Sequence, residues 1–169
     1  MPKSVAIRRF EPRDAEACHG LWAELTEWHR ELYGDPAIGG HDPASGFDRH
    51  LDEFGATHLW VAEETGSIVG LAGLIVRGRK AEVEPVIVSQ RLRRQGVGRA
   101  LVEATVQAAR AEGVEQLRVR PVARNQDATA FFHRLGFTAL GHVELLLDFR
   151  RPESYWRAGE RLAGRDFDV

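Results

Sequence analysis

The 169-residue chain has a single cysteine, Cys18, one methionine and two tyrosines. One cysteine excludes an intramolecular disulfide and fits a reducing compartment. No apolar run approaches the ~20 residues a helix needs to cross a bilayer, so no membrane partner is expected. Charge of one sign is also missing. Lys and Arg number 23 against 25 Asp and Glu, a formal charge of -2, and that balance excludes an electrostatic footprint for nucleic acid. The seven histidines are scattered without metal-ligand spacing, so no metal is expected. Internal repeats and low-complexity tracts are absent. Met1–Ser4 leads straight into an alternating segment without an apolar h-region, so no signal peptide is expected and the location is read as cytoplasmic.

What is present is an ordinary globular composition, 43% hydrophobic and 28% charged, of one-domain length. Alternation predicts strands at Val5–Phe10, Thr57–Glu63, Ile68–Val76, Ala81–Val88, Leu117–Val122, Phe137–Leu140 and Val143–Phe149. Helical spacing predicts a helix after Pro12 and Asp14 that stops at Gly34, and a short one over Ser45–Phe54. Two more are predicted, at Gly98–Glu112 and Asn125–Leu135. Pro85 falls inside the fourth strand. Proline has no N–H for the ladder, so a bulge or splayed edge is expected there. This order predicts an α/β (α+β) domain, a mixed sheet with helices on both faces. It occupies 1–149, and 150–169 is a polar tail with Tyr155 and Trp156 as its large anchors.

Between the fourth strand and the helix after it lies Arg93-Arg94-Gln95-Gly96-Val97-Gly98. The first turn of a helix has N–H groups without intrahelical partners and a partial positive charge, and a pyrophosphate fits there. Arg91, Arg93, Arg94 and Arg99 ring the loop. A plain tight turn with solvated arginines is the simpler reading, but four arginines at a strand-to-helix junction favour phosphate. Leu101 stands where a dinucleotide fingerprint needs a small residue, and Gly-Lys-Ser/Thr is absent. A nucleotide module is therefore the weaker option.

Arg93-x-x-Gly96-x-Gly98 followed by Ala100-Leu101 resembles the acetyl-CoA signature of the GNAT superfamily of N-acetyltransferases. A second segment, Asn125-x-x-Ala128-x-x-Phe131-Phe132-x-x-Leu135-Gly136-Phe137, is similar to the family's Asn-x-x-Ala-x-x-Phe-Tyr-x-x-x-Gly-Phe motif. The resemblance implies a mostly antiparallel central sheet of about seven strands and acetyl-CoA as co-substrate. It implies direct attack by a primary amine of a small molecule or peptide in a ternary complex, and frequent homodimerisation. Backbone amides of Gln95, Gly96, Val97, Gly98 and Arg99 would hold the pyrophosphate, beside Arg93 and Arg94. Main-chain groups of Val86, Ile87 and Val88 would pair with the pantetheine arm, admitted by a splay between the strands at 81–88 and 117–122. The Val88 N–H matches the oxyanion donor. Asn125, Phe131 and Phe132 fall at the second motif's cofactor-side positions, and Asn125 is equally a plain N-cap.

An alkylammonium must lose a proton before it attacks a thioester. Glu82 and Glu84, two apart, would share one side of a regular strand. Glu82 matches the family's strand glutamate, and Glu84 lies nearer Val88 and is favoured as base. The family's tyrosine is replaced by Phe132, which has no proton for the leaving thiolate. Either the thiolate leaves unassisted or another group, such as His133 or Tyr33, serves as acid; the departure also keeps open a non-catalytic module that senses acetyl-CoA.

Overall fold

The computed structural model describes residues 5–169, so Met1–Ser4 and the reading placed on them lie outside the described residues. Five strands form one mixed sheet in the order β1-β2-β3-β4-β5: β1 Val5–Arg9, β2 Leu59–Glu64, β3 Ser67–Arg77, β4 Lys80–Val88 and β5 Gln116–Arg118. Every pairing is antiparallel except that of β4 with β5. The β2–β3 turn is where local chemistry puts it. Thr65 and Gly66 both have positive φ, the two-residue hairpin geometry whose twist matches its strands.

Helix α1, Ala15–Tyr33, and helix α2, Ser45–Phe54, take the predicted positions. Cys18 and Leu21 of α1 and Phe47 of α2 pack on Leu59, Val61, Leu71 and Ile87 of the sheet. Phe47 is the hinge of this core, with Phe10, His19 and Trp22 rings 5.8, 5.1 and 6.1 Å away. Burial pushes the Cys18 thiol up to about 12, so it behaves as a small hydrophobe. Helix α3, Val97–Ala111, covers the opposite face through buried Leu101, Val102, Thr105 and Ala109. Its Leu101 lies over Gly70 of β3, beside Ala62 of β2. Helices on both faces of a mixed sheet give the α+β architecture that the element order implies.

Asp14 ties β1 to the start of α1. Its carboxylate accepts Nη1 and Nη2 of Arg8 at 2.7 and 2.8 Å, and the Glu11 N–H at 2.8 Å. The Arg8 guanidinium holds this buried carboxyl below the usual carboxylate range. A depressed folded pKa stabilises fully above the unfolded value, ~3.9, and the gain is lost as pH falls through the folded value. Asp14→Asn is therefore expected to cost about 1–3 kcal/mol at pH 7. Urea melts taken below the unfolded carboxyl value should show the two proteins converging, and a constant gap across pH would contradict this.

The chain divides into two compact units, one up to Val119 and one from Arg120 to Val169. The second contains helix α4, Gln126–Arg134, and a hairpin of β6 Ala158–Leu162 with β7 Arg165–Asp168. Among the described residues there are seven strands, as expected, but five make the main sheet and two make a sheet of their own. The final pair differs from expectation. Phe137–Leu140 and Val143–Phe149 are not strands, and the segment read as a polar tail supplies β6 and β7. Alternation marks a segment able to pair, but a strand exists only where a second edge completes its ladder. The large apolar side chains over 140–149 are exposed, from 51% at Val143 to 89% at Phe149. In the same unit Tyr155 lies between the guanidinium groups of Arg124 and Arg151, 4.7 and 4.5 Å from its ring, with Trp156 edge-on at 5.3 Å. Among the described residues no helix is long and apolar enough to cross a membrane.

Candidate functional site

Strand β4 carries the irregularity that Pro85 demands. Val83 pairs with Leu74 and Val86 with Ala72, so Glu84 and Pro85 together oppose the single residue Gly73. That is a β-bulge. It also separates the two glutamates. Glu82 precedes the bulge, is 5% exposed, and accepts Nε and Nη2 of Arg118 at 2.9 and 2.8 Å. Arg118 is its register partner on β5. Glu84 is in the bulge and exposed. The shared side expected of them holds only for a regular strand, which β4 is not at this point.

The pairing of β4 with β5 ends at Glu82 and Arg118, while β4 continues to Val88. The splay expected between these strands therefore begins at Val83. Hydrogen-bond parity shows which groups face it. Ser89 donates its N–H to the Val69 carbonyl at 2.9 Å. In an antiparallel ladder, alternate residues turn both polar groups to the same neighbour. Ser89 and Ile87 therefore face β3, and Val86 and Val88 turn N–H and C=O toward the open edge. Ile87 uses its main chain in the ladder with Leu71, and its side chain is in the core.

The open edge runs into the glycine loop. A short 3-10 turn over Gln90–Leu92 leads to Arg94 at φ 63 and Gly96 at φ 87. Gly96 is the N-cap of α3 in the left-handed region that favours glycine, and as N-cap it makes no side-chain cap hydrogen bond. The helix thus begins with N–H groups that its N-cap residue does not cap, at the positive end of its dipole. An anion is the natural complement. The arginine ring is partly committed. Arg91 pairs with buried Glu64 at 3.1 Å, Arg99 with Glu103 at 2.7 Å, and Arg93 donates Nε–H to the Val88 carbonyl at 3.3 Å.

Helix α1 braces this corner through Glu24, which pattern reading did not single out, and through Trp28, which helical spacing assigns to the core. Glu24 accepts the Ser89 hydroxyl and the Gln90 N–H, each at 3.3 Å, and so caps the 3-10 turn. One helical turn on, the Trp28 ring lies 5.5 Å from the Arg93 guanidinium. The i, i+4 spacing of Glu24 and Trp28 was the signal available, but nothing local says what that face meets. Trp22, by contrast, belongs to the core.

In the second unit Asn125 is the N-cap of α4, its Oδ1 accepting the Ala128 N–H at 2.9 Å. Phe132 is 9% exposed, with the rings of Phe131 and Phe137 at 5.0 and 5.7 Å. The residue at the family's tyrosine position is here an apolar packing residue. His133 is exposed.

An uncapped helix N-terminus fed by an unpaired strand edge is an arrangement for an extended ligand with an anionic end. Comparison with known proteins agrees. The model of the acetyltransferase (GNAT) family matches residues 22–137. N-acetyltransferase 8 of Homo sapiens is 29% identical over 98 residues, which is 54% of this chain and 43% of that protein, so the chain spans less than half its relative's length. Among solved structures, a GNAT acetyltransferase of Staphylococcus aureus Mu50 superposes with a TM-score of 0.68 at 14% identity, over 88% of this chain and 94% of that one. The aminoglycoside N-acetyltransferase AAC(6')-Iy, solved with CoA, gives 0.62 at 17% identity over 89% and 97%. At those identities the structures speak for the fold, while the family model covers more than half the sequence. The chain belongs to the GNAT acetyltransferase family.

Proposed function

We propose that the protein is an acetyl-CoA-dependent N-acetyltransferase whose acceptor is a primary amine of a small molecule or peptide, attacked directly in a ternary complex. The observation that carries this reading is the open edge of β4, with Val86 and Val88 facing outward, running into the uncapped start of α3. Backbone N–H groups from Gln95 to Arg99 hold the pyrophosphate, with Arg94 supplying charge. The pantetheine arm leaves the loop and runs back along β4 as an added strand, pairing first with Val88 and then with Val86. The thioester ends the arm, so the Val86 N–H, just past the bulge, reaches the oxyanion better than that of Val88. Exposed Glu84 beside it takes the proton of the ammonium, while buried Glu82, joined to Arg118, holds β5 to β4. The amine nitrogen then bonds to the acetyl carbon, the carbon–sulfur bond breaks, and the second amine proton goes to the thiolate. Phe132 has no proton to give, so the thiolate takes it from the nitrogen or from water.

Calorimetry with acetyl-CoA, followed by an amine panel assayed for release of the CoA thiol, tests this. Binding in the range usual for enzyme substrates, ~1 μM to 1 mM, with turnover of at least one amine, is expected. Binding without turnover of any amine would select a sensor of acetyl-CoA instead. No binding at all would remove both readings.

A further inference from the structure

Arg93 stands between the two ends of the ligand just described. Its Nε–H is on the Val88 carbonyl at 3.3 Å, and its guanidinium lies 5.5 Å from the Trp28 ring. By the parity of the ladder, that carbonyl is one of the edge groups an added strand must use. A charged side chain therefore lies across the path of the arm. It is also attached to the loop that receives the phosphates, and its φ of -63 and ψ of 151 place it one residue before the left-handed turn at Arg94.

Resting on the acetyltransferase reading, we propose that Arg93 is a specificity-determining residue that selects phosphate-bearing thioesters by blocking the arm's edge until a phosphate draws it away. A guanidinium prefers a phosphate oxygen to a neutral carbonyl, because both partners are then charged and the planar fork can bind two oxygens at once. When a pyrophosphate reaches the loop, Arg93 exchanges the Val88 carbonyl for it, and the edge becomes available. A thioester without phosphates has nothing to offer Arg93 and must displace it unaided. Trp28 keeps the stem over the edge in the free protein, and the stacking is lost when the side chain moves. Discrimination thus includes a repulsive element as well as an attractive one.

The substitution Arg93→Ala gives the test, because the proposal requires opposite effects on two ligands. Calorimetry with acetyl-CoA and competition with S-acetylpantetheine, which carries the arm but no phosphate, are compared in both proteins. Acetyl-CoA should bind at least ~10-fold more weakly to the variant, and S-acetylpantetheine about 3- to 10-fold more tightly. The wild type should also show a Trp28 fluorescence change on acetyl-CoA binding, identified by its loss in Trp28→Phe and absent with Arg93→Ala. If S-acetylpantetheine binds the two proteins equally, binds the variant more weakly, or binds neither, the blocking role is wrong and Arg93 is at most a phosphate contact. That failure is distinct from failure of the acetyltransferase reading, which would show as wild-type protein that does not bind acetyl-CoA. Arg93 is exposed, so the variant should fold, as an unchanged melting temperature would verify.

Discussion

Gly73→Ala is expected to destabilise the protein by about 2–4 kcal/mol, a fall in melting temperature of about 5–15 °C, and to disable the site in whatever remains folded. Gly73 is the residue that the bulged pair opposes. A β-carbon there would overlap the Glu84 carbonyl oxygen and press on Leu59 Cδ2 and Pro85 Cδ, each 3.0 Å away. The oxygen belongs to the backbone, so the clash is relieved only by moving the bulge. Moving the bulge shifts Val86 and Glu84, and a displacement of about 1 Å can cost about 100-fold in rate. Gly20→Ala in α1 is the control. Nothing stands within 4 Å of the added carbon there, and a helix-interior alanine is favoured over glycine by roughly 0.5–1 kcal/mol. Thermal melts of the two variants beside wild type decide it: a Gly73→Ala protein that melts with the wild type would mean the bulge tolerates a side chain.

Glu84→Gln is expected to lower kcat by about 100-fold or more, the usual loss with a general base, and to leave acetyl-CoA binding unchanged. The amide keeps the shape of the bulge and removes the proton acceptor. Glu82→Gln should behave differently. It removes the charge of buried Glu82 from its pair with half-exposed Arg118, so its main effect is on stability, about 1–3 kcal/mol. Single-turnover kinetics and urea melts on both proteins separate the roles. A large fall in kcat for Glu82→Gln with none for Glu84→Gln would reverse the assignment, and normal rates in both would move the base elsewhere.

Much of this was legible before any coordinates. The helices α1, α2, α3 and α4 follow from apolar spacing and from glycines at their ends, because a helix satisfies its hydrogen bonds within itself. The 65–66 turn follows from its own residues. The bulge follows from Pro85, since a missing N–H is a local fact. The glycine loop and the Asn125-to-Phe137 spacing were enough to point to the GNAT acetyltransferases.

That 137–149 forms no strand was not legible, because a strand is defined by a partner, and Leu145, Leu146 and Leu147 specify only the ability to pair. The same limit hid the braces of the loop. Glu24 meets Ser89 across 65 residues, and Glu64 meets Arg91 across 27. The unequal fates of Glu82 and Glu84 depended on where the bulge falls, and Gly73 on the neighbouring strand sets that. The sequence by itself determined the anion-accepting start of α3 and the bulge of β4: helix starts, glycine dihedrals and a proline act within a few residues of chain. The tertiary structure decided which strand edge stays open, which carboxylate stays exposed and where Arg93 rests, because each of these is settled by groups distant in sequence that meet only when the sheet forms.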